Sequence, residues 1–415
     1  MKFNRTYYLN ELIARKHNGM IKIITGLRRS GKSFLLFELF KDHLLANGVG
    51  EDHIVAISME NRRLKNLRNP DECLAYIDAR IQDEQMHYVL IDEVQLMGEF
   101  EDVLNSYLDM PNVDVYVTGS NSRFLISDVV TEFRGRGDEV RVYPLSISEL
   151  QEAYPEKSWD ELWQEYSNFG GLPMAVLTEG TERKKTYLKQ LFKTTYFKDI
   201  IDRYHIQHTE YLGQLVDFVA SSVGSLTNAN KLTNTFLSKG QKISIDTIGQ
   251  YLDYLQDAFL ISQAKRYDIR GKQYIGSPYK FYFTDLGLRN ARLNFRQYEE
   301  THLMENAIYM ELLRRGCEVD VGVLEIVEYE ERKQVHKRIE VDFVVNKGDK
   351  RYYIQSAYAV PDKEKMYQEE RPLLKIYDSF KKMIVVQNNV MPWYNENGTL
   401  VMSLRQFLTD ENSLQ

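Results

Sequence analysis

The chain has 415 residues, of which 43% are hydrophobic and 27% are charged, with a formal net charge of −7. This length is too great for a single hydrophobic core and predicts two or three domains, while the composition is that of a soluble globular protein. The acidic balance argues against a protein that coats nucleic acid with its whole surface, although it permits a local basic face.

The sequence contains no recognisable targeting or membrane segment. No apolar stretch approaches the length of a membrane span, and residues 1–5 lack the apolar region of a secretory signal. Cys73 and Cys317 lie far apart and fit no metal-binding or redox spacing. We therefore expect a location in the reducing cytoplasm, without membrane contact.

A phosphate-binding loop follows the first apolar run of the chain. Residues 21–24 predict a buried strand, and residues 26–33 have the sequence Gly-Leu-Arg-Arg-Ser-Gly-Lys-Ser. Glycines allow backbone N–H groups to close around phosphates, and the helix that follows directs its positive end at them. Lys32 can reach the β- and γ-phosphates, and Ser33 can ligate Mg²⁺. We expect ATP to be bound by Gly26, Arg29, Ser30, Gly31, Lys32 and Ser33.

A second half of the site is predicted at residues 88–93. A short apolar run ends there in the adjacent carboxylates of Asp92 and Glu93. Such a run is typical of a central parallel strand, and ligands bind at the carboxyl ends of these strands. Asp92 would hold Mg²⁺, mostly through water, and Glu93 would polarise the water that attacks the γ-phosphate.

Another strand is predicted over residues 113–118, and polar groups follow its end. Ser120 or Asn121 could orient the attacking water, with Asn121 sensing the γ-phosphate; an ordinary polar turn is the alternative. Further on, Arg134 and Arg136 could stabilise the charge of the transition state, within one chain or across a subunit interface. Two solvated surface arginines are the alternative there.

These motifs together resemble those of a known family. Besides residues 26–33, they are Ile-Asp-Glu-Val-Gln at 91–95, Thr-Gly-Ser-Asn-Ser at 118–122 and Arg-Gly-Arg at 134–136. The chain resembles, over nearly its whole length, the bacterial and archaeal AAA-type ATP-binding proteins close to the signal-transducing STAND group. Those proteins usually carry a C-terminal domain similar to PD-(D/E)XK nucleases. The sequence Phe-Gly-Gly-Leu-Pro at 169–173 also matches, and the resemblance implies that Gly171 and Pro173 lie near the adenine.

The order of the predicted elements divides the chain into four segments. In the first, strands alternate with helices, which is typical of a parallel sheet covered on both faces. Its strands are predicted near 21–25, 54–59, 88–92, 113–118 and 139–143. The predicted fold class is α/β: a P-loop ATPase sheet with a helical lid, then a winged helix and a degenerate restriction-endonuclease-like α/β domain. The boundaries are 1–158 for the ATPase core, 159–208 for the lid, 209–290 for the winged helix and 291–415 for the nuclease-like domain.

The winged helix is predicted from three helices followed by a hairpin. The helices are expected at 211–222, 228–238 and 245–256, the last with Ser244 as its N-cap, and the hairpin strands at 259–261 and 280–283. The third helix has acidic residues and neither Lys nor Arg, which disfavours its insertion into a major groove. The hairpin could touch a nucleic-acid backbone weakly through Lys265, Arg266, Arg270, Lys272 and Lys280. A module that couples the ATPase to a protein partner is the simpler interpretation.

The last segment has part of a nuclease-like pattern. Glu305 lies on a predicted helix, while Glu340 and Asp342 share one face of a predicted strand. A PD-(D/E)XK nuclease would add an acidic-x-Lys motif on the next strand, so that carboxylates hold Mg²⁺ and the lysine positions water. Here Gln355 and Ala357 occupy those two positions, and Lys363 or Lys365 would have to substitute. We therefore expect a nuclease-like fold kept as a binding or structural module.

The sequence thus predicts an Mg²⁺-dependent ATPase whose nucleotide state controls its C-terminal modules. A slow-turnover ATP-binding switch or scaffold needs the same residues and stays open as an alternative. An ATP-dependent DNA- or RNA-binding protein or nuclease is a further alternative. An arginine that acts in trans would also require a homo-oligomer.

Overall fold

The structure is a computed structural model and describes residues 2–120, 135–330, 333–360 and 362–415. The chain divides into two compact units. The first comprises Met1–Pro144, Leu172–Met174 and Asp257–Phe259; the second comprises Leu145–Gly171, Ala175–Gln256 and Leu260–Gln415. Every helix among the described residues is too short or too polar to cross a membrane.

A parallel sheet forms the centre of the first unit. Its described strands are β1 (Ile21–Thr25), β2 (Ile54–Ser58), β3 (His87–Asp92), β4 (Val113–Thr118) and β5 (Gly137–Arg141). They are arranged in the order β2-β3-β4-β1-β5, and every neighbouring pair is parallel. Every residue of β1 and β3 is buried, as expected for strands covered on both faces. The predicted parallel sheet is therefore confirmed, and its carboxyl ends lie along one edge.

Helices cover the faces of this sheet. They are α1 (Thr6–Ala14), α2 (Lys32–Phe34), α3 (Lys41–Ala46), α4 (Pro70–Asp78) and α5 (Phe100–Asn105), with a π-helical segment (Leu35–Phe40) between α2 and α3 and short 3₁₀ segments at Glu51–His53, Arg62–Arg68 and Val94–Leu96. Apolar side chains of α1 and the π-helical segment pack with those of β1, β3 and β4 in one core.

The sheet also buries an ion pair on β1 and β4. Lys22 is fully buried and contacts Asp114, which also accepts a hydrogen bond from the Tyr116 hydroxyl at 3.0 Å. Buried charges need such partners because burial without one costs several kcal/mol. The pair therefore fixes the pairing of β1 with β4.

A mixed sheet forms the centre of the second unit. Among the described residues its strand order is β12-β13-β11-β10-β9-β8-β6-β7. The strands are β6 (Ile261–Asp268), β7 (Gln273–Phe283), β8 (Glu318–Glu330), β9 (Lys333–Lys347), β10 (Lys350–Ala357), β11 (Lys381–Val386), β12 (Trp393–Tyr394) and β13 (Leu400–Ser403). The predicted hairpin is present as the antiparallel pair β6 and β7, but β6 also pairs in parallel with β8. The sheet therefore continues across residue 290, where sequence analysis places a domain boundary.

The remaining helices follow one another between and after these strands. They are α6 (Ile147–Ala153), α7 (Trp159–Phe169), α8 (Pro173–Leu177), α9 (Thr181–Leu191), a π-helical segment (Phe192–Phe197), α10 (Lys198–Tyr204), α11 (Thr209–Ser221), α12 (Ala229–Ser238), α13 (Ile245–Asp257), α14 (Leu286–Arg292), α15 (Glu300–Arg314), α16 (Lys363–Leu374) and α17 (Leu404–Thr409). The three helices predicted before the hairpin correspond to α11, α12 and α13. Ser244 caps α13 as predicted, because its hydroxyl accepts a hydrogen bond from the Thr247 N–H at 3.0 Å.

Asp285 joins two parts of the second unit. It is 2% exposed, and its Oδ1 accepts a hydrogen bond from the Leu288 N–H at 3.0 Å as the N-cap of α14. Its Oδ2 accepts another from the Gly171 N–H at 2.8 Å. One carboxylate thus satisfies buried donors in two segments that are 114 residues apart.

We predict that Asp285→Ala destabilises the second unit by about 3 kcal/mol, because it removes a helix cap and leaves buried N–H groups without acceptors. Differential scanning calorimetry would show a lower unfolding temperature. Asp285→Asn keeps one acceptor oxygen and should lose less. Unfolding of Asp285→Ala at the wild-type temperature would contradict this role.

Candidate nucleotide-binding site

The loop between β1 and α2 has the backbone of an anion-binding turn. Gly26 has φ 127°, and a Cβ there would overlap the Val142 carbonyl oxygen. Gly31 has φ 101° and directly precedes α2, while Arg29 has φ 67° and an exposed side chain. Pro173 lies beside this turn, since a Cβ built on Gly31 would be 3.8 Å from its Cγ. The left-handed conformations at Gly26 and Gly31 therefore require glycine.

Lys32 and Ser30 are the two polar residues of the loop whose side chains are buried. Lys32 is 4% exposed, and its Nζ donates hydrogen bonds to the carbonyl oxygens of Gly26 at 2.9 Å and Leu27 at 3.2 Å. Burial lowers the pKa of Lys32, although the carboxylates of Glu93 and Asp92 oppose this. The buried Ser30 hydroxyl makes no hydrogen bond to a described residue. A buried ammonium and an unpaired hydroxyl suit an anionic ligand in the loop.

Asp92 connects three elements at the carboxyl edge of the sheet. Its Oδ1 accepts hydrogen bonds from the Ser33 hydroxyl at 2.8 Å and from the Thr118 hydroxyl at 2.6 Å. Burial raises the pKa of Asp92, and these two hydrogen bonds oppose the rise. The predicted metal-binding pair, Ser33 and Asp92, is therefore in direct contact.

Glu93 is held in one orientation by its neighbours. Its backbone N–H donates to the Thr118 hydroxyl at 2.9 Å, and its φ of 53° turns the chain directly after β3. Its Oε2 accepts hydrogen bonds from the Ser120 hydroxyl at 3.0 Å and from Gln95 Nε2. Its Oε1 accepts none from the described part of the chain. One oxygen is thus fixed, and the other is available to accept a proton.

Of the other predicted catalytic residues, the structure describes only Arg136, which lies away from this site. Asn121 and Arg134 lie outside the described residues. Arg136 is exposed beside Asp109, at 3.5 Å, and its carbonyl accepts a hydrogen bond from the Ile21 N–H at 2.9 Å. Because β5 runs parallel to β1, this places Arg136 at the amino edge of the sheet, opposite the phosphate-binding loop. The structure thus corrects a role for Arg136 within its own chain, and a role across a subunit interface stays a prediction.

Gly171 has a structural task within the second unit. Its N–H binds Asp285, and a Cβ on it would overlap the Leu145 carbonyl oxygen. Pro173 belongs to the first unit, next to Gly31. A position of Gly171 and Pro173 near adenine stays a prediction from the resemblance.

Sequence analysis missed two residues of the site. Thr118 belongs to a strand end and to the motif at 118–122 but has no predicted role, although it both donates to Asp92 and accepts from the Glu93 N–H. Gln95 belongs to the motif at 91–95, also without a predicted role, although it binds Glu93. A polar residue that ends an apolar strand beside the Asp92 strand was the available signal for Thr118.

A second polar cluster is buried around Lys280 in the second unit. Lys280 is 3% exposed, and its Nζ lies 2.8 Å from Glu305 Oε1 and 2.7 Å from Glu340 Oε1. It is also 3.6 Å from Asp342 Oδ1, and the Tyr282 hydroxyl donates to Glu305 Oε1 at 2.7 Å. This corrects the expectation that Lys280 contributes to a basic surface of the hairpin, because its ammonium faces carboxylates rather than solvent. Arg266 is buried as well, which leaves Lys265, Arg270 and Lys272 exposed on the hairpin.

The residues at the positions of the nuclease-like motif have structural contacts of their own. Gln355 Oε1 accepts a hydrogen bond from the Asp342 N–H at 3.4 Å, and Ala357 is buried in an apolar core. Lys365 pairs with Glu369 at 2.6 Å on α16, and Lys363 is exposed at the start of that helix. The ammonium beside the carboxylates comes from Lys280 instead. It occupies the position that a divalent cation would need, so these residues do not fit the Mg²⁺ site of a nuclease.

The charges of the Lys280 cluster are unequal, because one ammonium faces several carboxylates. Burial alone would lower the pKa of Lys280, but Glu305, Asp342 and Glu340 together raise it above its ordinary value. Burial raises the pKa of Glu305 to about 7, opposed by Lys280 and reinforced by Asp342. Lys280 thus stays charged, while Glu305 titrates near neutral pH.

Two family models match the chain. An AAA domain matches residues 18–151, which include all strands of the first sheet, and a domain of unknown function, DUF8612, matches residues 160–299. An uncharacterized protein of Haemophilus influenzae is 34% identical over 387 residues, or 92% of each chain. An uncharacterized protein of Methanocaldococcus jannaschii is 26% identical over 392 residues, covering 91% of this chain and 83% of that protein.

The fold is similar to that of a solved structure, a Walker-type ATPase of Pyrococcus abyssi. It aligns with 70% of this chain and 96% of its own, at 16% identity and a TM-score of 0.50. At this identity the likeness shows the fold alone.

We predict that Glu305 makes the stability of the second unit depend on pH. Its folded-state pKa of about 7 lies above its ordinary value of 4.5, so the folded state favours the protonated carboxyl. The resulting stabilisation is complete below about pH 4.5 and is lost as the pH rises through about 7, a change of the order of 1–3 kcal/mol. Calorimetry between pH 5 and 8 should show wild type losing stability relative to Glu305→Gln, which cannot titrate. A constant difference between the two proteins across this range would contradict the assignment.

Proposed function

Since this chain contains an AAA domain and belongs to the same family as the Haemophilus influenzae protein, we propose that it binds ATP with Mg²⁺ and hydrolyses it. The observation that carries the proposal is the contact of Asp92 with Ser33 beside a Glu93 carboxylate that has one oxygen available. Phosphate-binding loop, metal-binding carboxylate and candidate base meet at the carboxyl edge of one parallel sheet.

The loop residues would bind the phosphates. Backbone N–H groups around Gly26 and Gly31 and the start of α2 offer donors to phosphate oxygens. The Lys32 ammonium, which donates to the Gly26 and Leu27 carbonyl oxygens, and the Ser30 hydroxyl, which has no partner among the described residues, would add further donors. Burial lowers the pKa of Lys32, and an anionic ligand would raise it again, because a nearby negative charge favours the charged ammonium.

Ser33 and Asp92 fit an Mg²⁺ ion. Both offer oxygen ligands, and the raised pKa of Asp92 reflects a buried carboxylate without a full positive counter-charge. Bound there, Mg²⁺ would neutralise charge that develops on the phosphate oxygens. Thr118 would keep Asp92 in place throughout, since its hydroxyl bonds the carboxylate directly.

Glu93 would act as the general base. Ser120 and Gln95 fix its Oε2, so Oε1 can accept the proton of the attacking water without a change of side-chain orientation. We further propose that Asn121 senses the γ-phosphate and that Arg136 acts in trans in a homo-oligomer. Gly171 and Pro173 would lie near the adenine of ATP.

We predict that Lys32→Ala weakens ATP binding at least 100-fold, whereas Glu93→Gln keeps binding and lowers hydrolysis by about 10²–10⁴-fold. Fluorescent nucleotide titration and phosphate-release assays measure the two effects. Lys41→Ala is the control, because its Nζ pairs with Glu51 on the surface at 2.9 Å. Phosphate release at the wild-type rate by Glu93→Gln would exclude Glu93 as the base. Tight ATP binding with negligible wild-type turnover would instead favour the slow switch.

The second unit would serve as the module that responds to the nucleotide. We propose a winged helix formed by α11, α12, α13 and the β6–β7 hairpin, and a nuclease-like domain without nuclease activity in the rest of the sheet. The element order supports the first, as does the pairing of Thr227 with Tyr279. The Lys280 cluster supports the second, because an internal ammonium stands among the carboxylates. A protein partner is the favoured target of this module.

Nucleic-acid contact has a weaker basis on the same hairpin. Lys265, Arg270 and Lys272 are exposed, and Lys265 Nζ lies 5.9 Å from the centroid of the exposed Tyr274 ring. Three cations on an otherwise acidic chain support weak, salt-sensitive binding to a backbone.

We predict that DNA and RNA bind weakly, with an affinity that falls steeply between 50 and 200 mM salt, and are not cleaved with Mg²⁺. Replacing Lys265, Arg270 and Lys272 together by Glu should abolish the binding, measured by fluorescence anisotropy. Replacing the acidic Asp246 on α13 by Ala is the control and should leave binding unchanged. Cleavage in wild type that disappears in Asp342→Ala would overturn the interpretation of the Lys280 cluster.

A further inference from the structure

A cluster of two histidines and an aspartate lies at the amino edge of the first sheet. His53 directly precedes β2, His87 is the first residue of β3, and Asp83 lies on the turn between α4 and β3. One nitrogen of each imidazole and one carboxylate oxygen lie within 4.8 Å of one another. We propose that these three side chains bind one transition-metal ion of the zinc class, at a site separate from the nucleotide site.

The hydrogen bonds of His87 leave a metal-binding nitrogen available. Its Nδ1 is 2.8 Å from the Gln85 carbonyl oxygen, which can only accept, so Nδ1 carries the proton. Nε2 then has a free lone pair, and it lies 4.0 Å from Asp83 Oδ1, beyond hydrogen-bond distance. Nε2 makes no hydrogen bond within the described residues, although His87 is only 2% exposed. The Nε2 atom of a buried histidine, without a hydrogen bond among the described residues, thus lies 4.0 Å from the Asp83 carboxylate.

His53 is oriented in the same way. Its Nδ1 is 3.0 Å from Asp52 Oδ1 and its Nε2 is 3.1 Å from Asp83 Oδ2. Both contacts are with carboxylate oxygens, which only accept hydrogen bonds, so the nitrogen that binds a metal ion would have to release its proton. Metal-binding histidines usually donate their second N–H to a carboxylate or a carbonyl, and both types of partner are present here.

The ligand set and the distances favour zinc over calcium or magnesium. Two imidazoles and one carboxylate suit zinc, whereas the alkaline-earth ions prefer oxygen ligands alone. Bonds of 2.0–2.2 Å in a tetrahedron separate ligand atoms by about 3.4 Å, and Asp83 Oδ1 lies 3.3 Å from His53 Nε2 and 4.0 Å from His87 Nε2, on either side of this value. The Asp83 side chain is 43% exposed, so water can supply the fourth ligand.

The site is remote from ATP but acts on the same strands. Asp92 lies five residues along β3 from His87, which is about 16 Å at 3.3 Å per residue. A bound ion would join the amino ends of β2 and β3 to the turn that follows α4. Its expected effect is therefore a higher unfolding temperature of the first unit.

The test uses the full, untagged chain without nucleotide, because an affinity tag or Mg²⁺–ATP would add metal sites. Equilibrium dialysis against zinc chloride should give one bound ion per wild-type chain, and Co²⁺ should show the absorption of a four-coordinate site. Asp83→Asn should weaken zinc binding at least tenfold, and Asp52→Asn, which keeps every ligand atom, by about tenfold. His43→Ala is the control, since its imidazole lies on α3 outside the cluster.

His87→Gln should also remove binding, but His87 is buried and this variant could fail to fold. Asp83→Asn is expected to fold, because the Asp83 side chain is partly exposed. Its Oδ1 accepts a hydrogen bond from the Gln85 N–H at 2.8 Å, and Asn retains this acceptor. Absence of bound zinc at micromolar concentration would overturn the proposal. So would equal binding by wild type and Asp83→Asn, or binding that is lost in Asp92→Asn instead, which would assign the ion to the nucleotide site.

Discussion

The buried carboxylate of Asp92 determines the arrangement of the candidate nucleotide site. A carboxylate that is nearly excluded from water must receive hydrogen bonds, and here Ser33 and Thr118 provide them from α2 and from the end of β4. Since the Thr118 hydroxyl also accepts the Glu93 N–H, one side chain fixes the ends of β3 and β4 and the turn that carries Glu93, the proposed base. The parallel pairing of β3 with β4, and of β4 with β1, brings these groups to one edge.

The two buried carboxylate clusters differ in the source of their positive counter-charge. Around Glu305 the cation is part of the chain, because Lys280 lies against carboxylates of α15 and β9. Around Asp92 the neighbouring hydroxyls are neutral, and the Lys32 ammonium bonds to carbonyl oxygens instead. The first cluster therefore contains a cation of its own, whereas the second gains most from the positive charge of a bound metal ion.

Sequence patterns were sufficient for features that are local in the chain. Most strands of the first sheet are mainly apolar runs, and the loop at 26–33 has a fixed spacing, so both could be predicted within a few residues. Arg136 is predicted from its motif downstream of β4, but a residue that directly precedes a parallel strand lies at the amino edge, away from the loop. Lys280 was counted with its basic neighbours, although its partners are 25 or more residues away. His53 and His87 are likewise joined only by the pairing of β2 with β3, which no spacing motif reveals.

The sheet that continues across residue 290 bears on how this protein can be divided for study. In the whole chain, Arg266, Tyr267 and Asp268 of β6 are paired with Val321, Gly322 and Val323 of β8. A fragment that ended at residue 290 would retain β6 and β7 but lose β8, and β6 would then present unpaired backbone groups along an open edge. Open edges recruit strands from other molecules. Self-association of such a fragment would therefore result from the truncation, and a fragment intended to isolate the hairpin should keep β8 and its partner β9.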